Sequence, residues 1–458
     1  MKYKILTFGC QMNVYDTGRI ERYLKAAGHA VVATEDEADL VLINTCSVRD
    51  TAESRVYGTL GRLARFKREA PGRMVAVVGC MAQKEGEKLI HRSPVVDIVA
   101  GTYAIPRIPQ MLDRAAEGSG PQVDTNRTEE NLFDEPETVA FPGEVHRYPA
   151  FVTVIQGCNK VCSFCVVPHT RGKEVCRPLD EVVRECVGLV ARGYREVTLI
   201  GQNVDSYRFE GVDFADLLVR LSRIEGLDRL RFTTSHPQDM SAKLIDTVAE
   251  LSNVCENFHF PLQVGSDRVL AEMKRGYTVE EYFQKLEYVE RTFGSREERP
   301  FAYGISTDLM VGFANETEAE FEQTLECVRR ARWDSAFTFK YSKRERTAAY
   351  RWEDRVPEEA KAERLARLID LQEAVSLSLN ERAVGQVAEV LIEGVPSYDP
   401  ERPLEWIKGR TRTNKAVGIE LPGDPAQMPR VGETREVLVT GCKPVTLRGE
   451  LCTASVGA

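Results

Sequence analysis

Cys158-Asn159-Lys160-Val161-Cys162-Ser163-Phe164-Cys165 puts three thiols within eight residues, directly after an apolar, β-branched run at 151–156. Whatever the chain folds into must carry this loop at the end of a strand and let its thiols converge. Thiolates so spaced can face one soft metal centre. Two centres compete for them. A four-iron four-sulfur cluster held by three cysteines leaves one iron open for a substrate or cofactor. Structural zinc would need a fourth ligand, which His169 could supply. Three facts count against zinc: the spacing is not the paired C-x2-C type, an aromatic residue precedes the last cysteine, and the loop follows a strand's carboxyl end, where catalytic groups collect in α/β barrels.

The surroundings of the loop set the fold class. Between 147 and 379, apolar strand candidates at 151–156, 196–200, 229–234, 257–262, 303–310 and 335–341 alternate with helical patterns, and a last helix spans 358–379. Six β/α units predict an incomplete barrel. Residues 1–114 alternate in the same way, with strands at 3–7, 39–44 and 74–78, and predict an open parallel sheet wrapped by helices. The stretch 115–146 carries eight acidic residues against one arginine and no apolar period, which reads as a linker. Residues 380–458 are strand-rich and punctuated by glycine and proline, predicting a small antiparallel β-barrel. The whole is an α/β chain of three domains.

The 61 basic and 70 acidic residues give a net charge of −9, so any nucleic acid must be met by local basic patches. The longest apolar run, 74–82, is about half of the ~18–20 residues a bilayer span needs. The N-terminus lacks the long apolar stretch of a signal peptide. A cytoplasmic protein with no membrane partner is expected. In that reducing setting the chain's 12 cysteines point to metal or catalysis rather than disulfides.

Cys10, Cys46 and Cys80 form a second constellation, each placed just after a strand candidate and two of them after glycine. Loops at the carboxyl ends of parallel strands converge on one crevice, so these thiols could hold a second cluster. The competing reading is three inert buried cysteines. Cys176, Cys186, Cys255, Cys327, Cys442 and Cys452 lack ligand spacing and read as structural, and His169 and His236 read as packing residues. No phosphate-binding loop, H-E-x-x-H or G-x-S-x-G motif occurs, so nucleotide hydrolysis, zinc proteolysis and serine hydrolysis are unsupported.

Gly9-Cys10-Gln11-Met12-Asn13, Asn44-Thr45-Cys46-Ser47-Val48-Arg49 and Gly79-Cys80-Met81-Ala82-Gln83 resemble the signatures of the methylthiotransferases, a family of radical S-adenosylmethionine enzymes. Gly157 to Cys165, Val167-Pro168-His169-Thr170-Arg171-Gly172, Gly201-Gln202-Asn203 and Phe260-Pro261-Leu262-Gln263 extend the likeness over nearly the whole chain. Gln11-Met12 after the first cysteine resembles the branch acting on tRNA bearing isopentenyladenosine. The branches acting on threonylcarbamoyl-adenosine or on a ribosomal protein aspartate typically differ there. A non-catalytic RNA-binding protein with structural iron or zinc is the alternative from another class. Departures from the family pattern fall at Val264, Ala314-Asn315, Cys176 and Glu345-Arg346, around the barrel mouth.

The resemblance implies two 4Fe-4S clusters, one on Cys158, Cys162 and Cys165 and one on Cys10, Cys46 and Cys80. It also implies two S-adenosylmethionine molecules per turnover, an electron donor such as flavodoxin or ferredoxin, and iron-sulfur carrier proteins as partners. Phe164, Gly201, Gln202, Asn203, Ser235, Gln263 and Asp308 would line the S-adenosylmethionine site. The last segment resembles a TRAM domain, an RNA-binding barrel, with Lys408, Arg410, Arg412 and Lys415 as its basic patch. Arg49, Arg55, Arg62, Arg65, Lys67 and Arg68 lie on one expected helix and offer a second basic surface, or a merely solvated one.

Overall fold

The structure is a computed structural model and describes residues 1–47, 50–129, 132–134, 150–396 and 405–452. Val48, Arg49 and most of the acidic stretch after 129 lie outside the described residues, as do 453–458.

The N-terminal domain is a six-stranded parallel sheet. Its strands are β1 (Lys2–Phe8), β2 (Ala30–Val31), β3 (Leu40–Thr45), β4 (Met74–Gly79), β5 (Ile98–Ala100) and β6 (Gln122–Asp124), in the order β2-β1-β3-β4-β5-β6. Residues of β3 and β4 alternate between two apolar layers. Leu40, Leu42, Ala76 and Val78 face α1 (Gln11–Ala26) and α5 (Ile108–Ala116), whereas Val41, Ile43, Val75 and Val77 face α2 (Asp50–Glu69). Burial on both faces is why these strands read as continuous apolar runs. The short helices α3 (Cys80–Glu85) and α4 (Lys88–Arg92) follow β4. The linker expected from 115 begins too early: α5 runs to Ala116, and β6 pairs in parallel with β5 from Gln122 to Asp124. An edge strand of three half-buried residues has no apolar period to betray it.

The central domain contains all six expected strands: β7 (Ala150–Thr153), β8 (Glu196–Ile200), β9 (Arg229–Phe232), β10 (Asn257–His259), β11 (Gly304–Val311) and β12 (Ser335–Lys340). They pair in parallel as β7-β8-β9 and β10-β11-β12, and a bridge from Leu230 to Val254 joins the two halves. The connections carry α6 (Val167–Thr170), α7 (Leu179–Ala191), α8 (Phe214–Ser222), α9 (Ala242–Glu250), α10 (Asp267–Glu272), α11 (Val279–Phe293) and α12 (Glu318–Ala331), and α13 (Glu358–Glu381) closes the domain.

The last domain is a closed barrel of β13 (Val387–Gly394), β14 (Ile407–Thr411), β15 (Ala416–Ile419), β16 (Thr434–Lys443) and β17 (Thr446–Leu451). It is the small, mainly antiparallel barrel expected: four of its pairings are antiparallel, and β15 and β17 run parallel. It docks against the amino ends of the central strands, the side opposite the cysteine loop. Arg229 and Arg231 of β9 donate to the carbonyls of Arg410, Thr411 and Arg412 at 2.6–2.9 Å. A Cβ on Gly304, the first residue of β11, would lie 2.2 Å from the Thr413 carbonyl, so only glycine lets the two backbones meet.

Candidate active site

The Cys158 loop is held on several sides. Gly157 has φ +83°, and a Cβ there would sit 1.9 Å from the Lys173 carbonyl, so the turn into the loop requires glycine. Cys158 N–H donates to Gly172 O at 3.1 Å, Ser163 N–H to Met273 O at 3.0 Å, and Ala349 N–H to Ser163 O at 2.8 Å. Arg275 fixes Cys162: Nη1 lies 3.4 Å from Sγ, while Nη2 donates to Pro261 O and Nε to Tyr277. Burial pushes the Cys158 thiol up to about 11 and the Cys165 thiol up to about 12. Left alone these are neutral thiols, and a cationic centre is what would make them thiolates. Among the described residues no three cysteine, histidine or carboxylate side chains converge tightly enough to hold a single metal ion. Tetrahedral zinc would draw its sulfurs to about 4 Å of one another. Three cysteines on one loop are the donor set of a 4Fe-4S cluster with one iron left open.

The expected cofactor residues fall into two groups. Phe164 stands edge-on to Phe313, ring centres 6.2 Å apart. Gln202 accepts from Gly157 N–H, Asn203 donates to Asp239 at 2.6 Å, and Ser235 donates to Asp205 at 3.0 Å. A Cβ on Gly201 would clash with Ile155 at 2.3 Å. Gln263 and Asp308 lie on the other wall, joined by Gln263 N–H to Asp308 O at 2.9 Å, with Gln263 at φ +78°. His259 sits 3.5 Å from the Asp308 carboxylate. Arg275 and Tyr277, both bound to Pro261 O, connect this wall to Cys162.

Asp205, which the sequence did not single out, and His236, read there as a packing residue, complete the floor. Burial pushes the Asp205 carboxyl up to about 8, so it is protonated at neutral pH. Burial likewise pushes His236 down to about 2. Its Nδ1 accepts from Gln238 N–H, which places the ring proton on Nε2. Among the described residues that Nε2, Asn203 Oδ1 and Asp205 Oδ2 are buried without partners. Three such groups gathered around Asp239 and Ser235 are open hydrogen-bonding positions for a polar ligand.

The second set of cysteines sits where three adjacent strands end. Phe8, Thr45 and Gly79 are in register across β1, β3 and β4, and Cys10, Cys46 and Cys80 follow them. A buried amide network ties these ends together. Asn13 donates to Thr45 O at 2.9 Å and to Asn44 at 3.1 Å, Asn44 donates to Asn13 O at 2.8 Å, and Thr45 donates to Val78 O at 2.6 Å. A hydrogen bond from Cys46 pulls the Cys10 thiol down to about 6 against the effect of burial, helped by the charge of Arg171. Burial raises Cys80, with Arg171 opposing. The two cysteine sites share a segment: Thr170 O accepts from Thr102, Arg171 O accepts from Tyr103, and the Arg171 guanidinium reaches Cys80 Sγ at 3.2 Å and Asp16 at 2.6 Å.

The expected basic patch is corrected. Arg410 pairs with Glu393, Arg412 with Glu256 at 2.7 Å, and Lys415 with Asp334 at 2.5 Å. Glu256 and Asp334 immediately precede β10 and β12, so Arg412 and Lys415 bind the barrel to the central domain. Of the four, Lys408 faces solvent. It is in register with Gly418 and Arg448, and Arg448 lies 5.6 Å over the exposed Trp406 ring. On α2, Arg62 pairs with Glu35, Arg65 with Glu69 and Lys67 with Asp97.

Residues 2–101 match the model of Uncharacterized protein family UPF0004, and 152–328 match the Radical SAM superfamily. The tRNA-2-methylthio-N(6)-dimethylallyladenosine synthase of Carboxydothermus hydrogenoformans is 41% identical over 457 residues, covering 98% of this chain and 99% of the relative. That of Desulforamulus reducens is 42% identical over 455 residues, covering 98% and 95%. The chain belongs to this synthase family. Its radical SAM region implies a 4Fe-4S cluster and S-adenosylmethionine. The fold is shared with the radical S-adenosylmethionine methyltransferase TsrM of Kitasatospora setae, at TM-score 0.55 and 13% identity over 85% of this chain and 80% of that one. Among the described residues no helix is long and apolar enough to cross a membrane.

Proposed function

We propose that the chain inserts a methylthio group at C2 of N6-dimethylallyladenosine (isopentenyladenosine) at position 37 of tRNA, next to the anticodon. The observation that supports this most is the pair of three-cysteine sites joined by one short segment, with Arg171 at its end touching Cys80. In this reading Cys158, Cys162 and Cys165 hold one 4Fe-4S cluster and Cys10, Cys46 and Cys80 a second. Phe164, Gly201, Gln202, Asn203, Ser235, Gln263 and Asp308 surround S-adenosylmethionine. When bound, these groups supply a radical able to remove the unactivated C2 hydrogen and a methylated sulfur to replace it, at two S-adenosylmethionine molecules per turnover.

The chain's own residues hold the geometry. Arg275 orients Cys162 and, through Pro261 and Tyr277, ties the cluster loop to the opposite wall. Protonated Asp205 accepts from Ser235 and leaves Oδ2 for a ligand. Lys408, Arg448 and Trp406 offer RNA a cationic and stacking surface. Flavodoxin or ferredoxin serves as electron donor, iron-sulfur carriers load the clusters, and the reaction runs in the cytoplasm.

The test is mass spectrometry of tRNA nucleosides from cells lacking this protein. The 2-methylthio form should vanish while dimethylallyladenosine accumulates. Unchanged 2-methylthio-dimethylallyladenosine would refute the proposal, and selective loss of the threonylcarbamoyl counterpart would move the assignment to that substrate.

A further inference from the structure

Two buried arginines each touch a cysteine of one site, and they are not equivalent. Arg275 spends all three nitrogens: Nε on Tyr277 at 3.0 Å, Nη1 on Cys162 at 3.4 Å and Nη2 on Pro261 O at 3.1 Å. It is a finished structural clamp. Arg171 spends two, Nε on Cys80 Sγ at 3.2 Å and Nη2 on Asp16 at 2.6 Å. Among the described residues its Nη1 is buried with no partner. The ion pair is sealed from water, at 3% and 2% exposure. A guanidinium nitrogen buried and unpaired costs free energy that a bound acceptor would recover. The acceptor must be anionic or strongly polar, since it meets a fixed cation in a low-dielectric pocket. It must also sit among Cys10 and Cys80, whose charges both interact with Arg171.

We propose that Arg171 is an anion-binding residue of the N-terminal cysteine site, its Nη1 donating a hydrogen bond to hydrosulfide brought there as the sulfur to be transferred. Cys80 and Asp16 fix the other two nitrogens, so the planar fork is pre-oriented and Nη1 loses little freedom when the anion arrives. Asp16 has a second effect. Its carboxylate is a fixed negative charge beside the anion and weakens binding, while its oxygen holds the guanidinium in place. The inference rests on the reading of Cys10, Cys46 and Cys80 as cluster ligands.

The experiment uses the full chain with Cys158, Cys162 and Cys165 replaced by alanine, loaded anaerobically with iron and sulfide, desalted, reduced by one electron with dithionite, and titrated with sodium hydrosulfide while the reduced cluster's electron paramagnetic resonance spectrum is followed. About four irons per chain in this background supports the ligand reading, and none would end it before Arg171 is tested. Arg171→Met should keep the iron but weaken hydrosulfide binding at least tenfold, with Arg171→Lys in between. Binding within twofold of the parent in an iron-loaded Arg171→Met protein would overturn the proposal. Asp16→Asn is the second arm and has the opposite sign. It keeps an oxygen acceptor for Nη2 and removes the charge, so hydrosulfide should bind several-fold tighter. A purely structural pair would give weaker or unchanged binding, and that result would also overturn the proposal, even if Arg171→Met lost its iron.

Discussion

Lys415→Met should unfasten the last barrel from the central domain without touching the RNA-facing surface. Lys415 Nζ lies 2.5 Å from Asp334 and 2.8 Å from Asn380, and the Lys415 and Asp334 side chains are 7% and 11% exposed. Removing one member of a buried pair typically costs 3–5 kcal/mol, because the other charge stays behind. Asp334 keeps Arg296 at 2.8 Å and Ile305 N–H at 2.9 Å, which places the loss near the low end, about 3 kcal/mol. At about 2–4 °C per kcal/mol for units of this size, the transition carrying the barrel should fall by about 6 °C or more in calorimetry. Affinity of the folded variant for tRNA should stay within about twofold of the parent. Lys408→Gln with Arg448→Gln should do the reverse: no thermal shift, weaker tRNA binding, and a log–log salt slope reduced by roughly 0.7–0.9 per phosphate contact removed. If Lys415→Met weakens tRNA binding with no thermal shift, the docking role is wrong and the patch is an RNA surface after all.

Alkylation of the cluster-free protein should label Cys10 ahead of Cys80, with a rate that rises through a pKa of about 6, because Cys46 donates to its thiolate and Arg171 adds charge. Cys46→Ala should move that midpoint up, and an unmoved midpoint would contradict the Cys10–Cys46 contact. Asp205→Asn should change the pH dependence of stability. A carboxyl whose folded pKa is raised to about 8 stabilises the fold fully below its unfolded value near 4, and that contribution is lost as pH rises to 8. The neutral variant should therefore gain melting temperature relative to the parent between pH 5 and pH 8, and a constant difference would refute the assignment. Cys162→Ala should abolish reductive cleavage of S-adenosylmethionine while leaving tRNA affinity within about twofold. Cys46→Ala should retain that cleavage, lose methylthio insertion and lower iron from about eight to about four per chain.

Much of the fold was legible because it is written in local periodicity. The strands now placed as β3 and β4 are near-continuous apolar runs, the six of the central domain are shorter apolar or β-branched stretches between helical patterns, and both sets of three cysteines follow carboxyl ends of strands, as their position implied. What stayed hidden is long-range. Arg412 meets Glu256 across 156 residues and Lys415 meets Asp334 across 81, so a local count of charges read as an RNA patch what folding turns into interdomain ion pairs. Arg275 reaches Cys162 across 113 residues and carries no motif of its own. Arg171, Asn13 and Asn44 lay inside motifs already noted, yet their roles need the register of β1, β3 and β4 to be seen. The β6 strand was lost to the acidic stretch because a short edge strand has nothing to bury on its outer side.

The account's central claim is that two cysteine sites act on one nucleoside. Reconstituted protein, tRNA carrying dimethylallyladenosine deuterated at C2, S-adenosylmethionine and a reductant form the direct measurement, read by mass spectrometry of the nucleosides and of 5′-deoxyadenosine. The wild-type chain should yield the 2-methylthio nucleoside with deuterium recovered in 5′-deoxyadenosine, and Cys46→Ala should yield deuterated 5′-deoxyadenosine with no methylthio product. Methylthio product from Cys46→Ala at the wild-type rate, or wild-type product with the deuterium retained on the nucleoside, would contradict it.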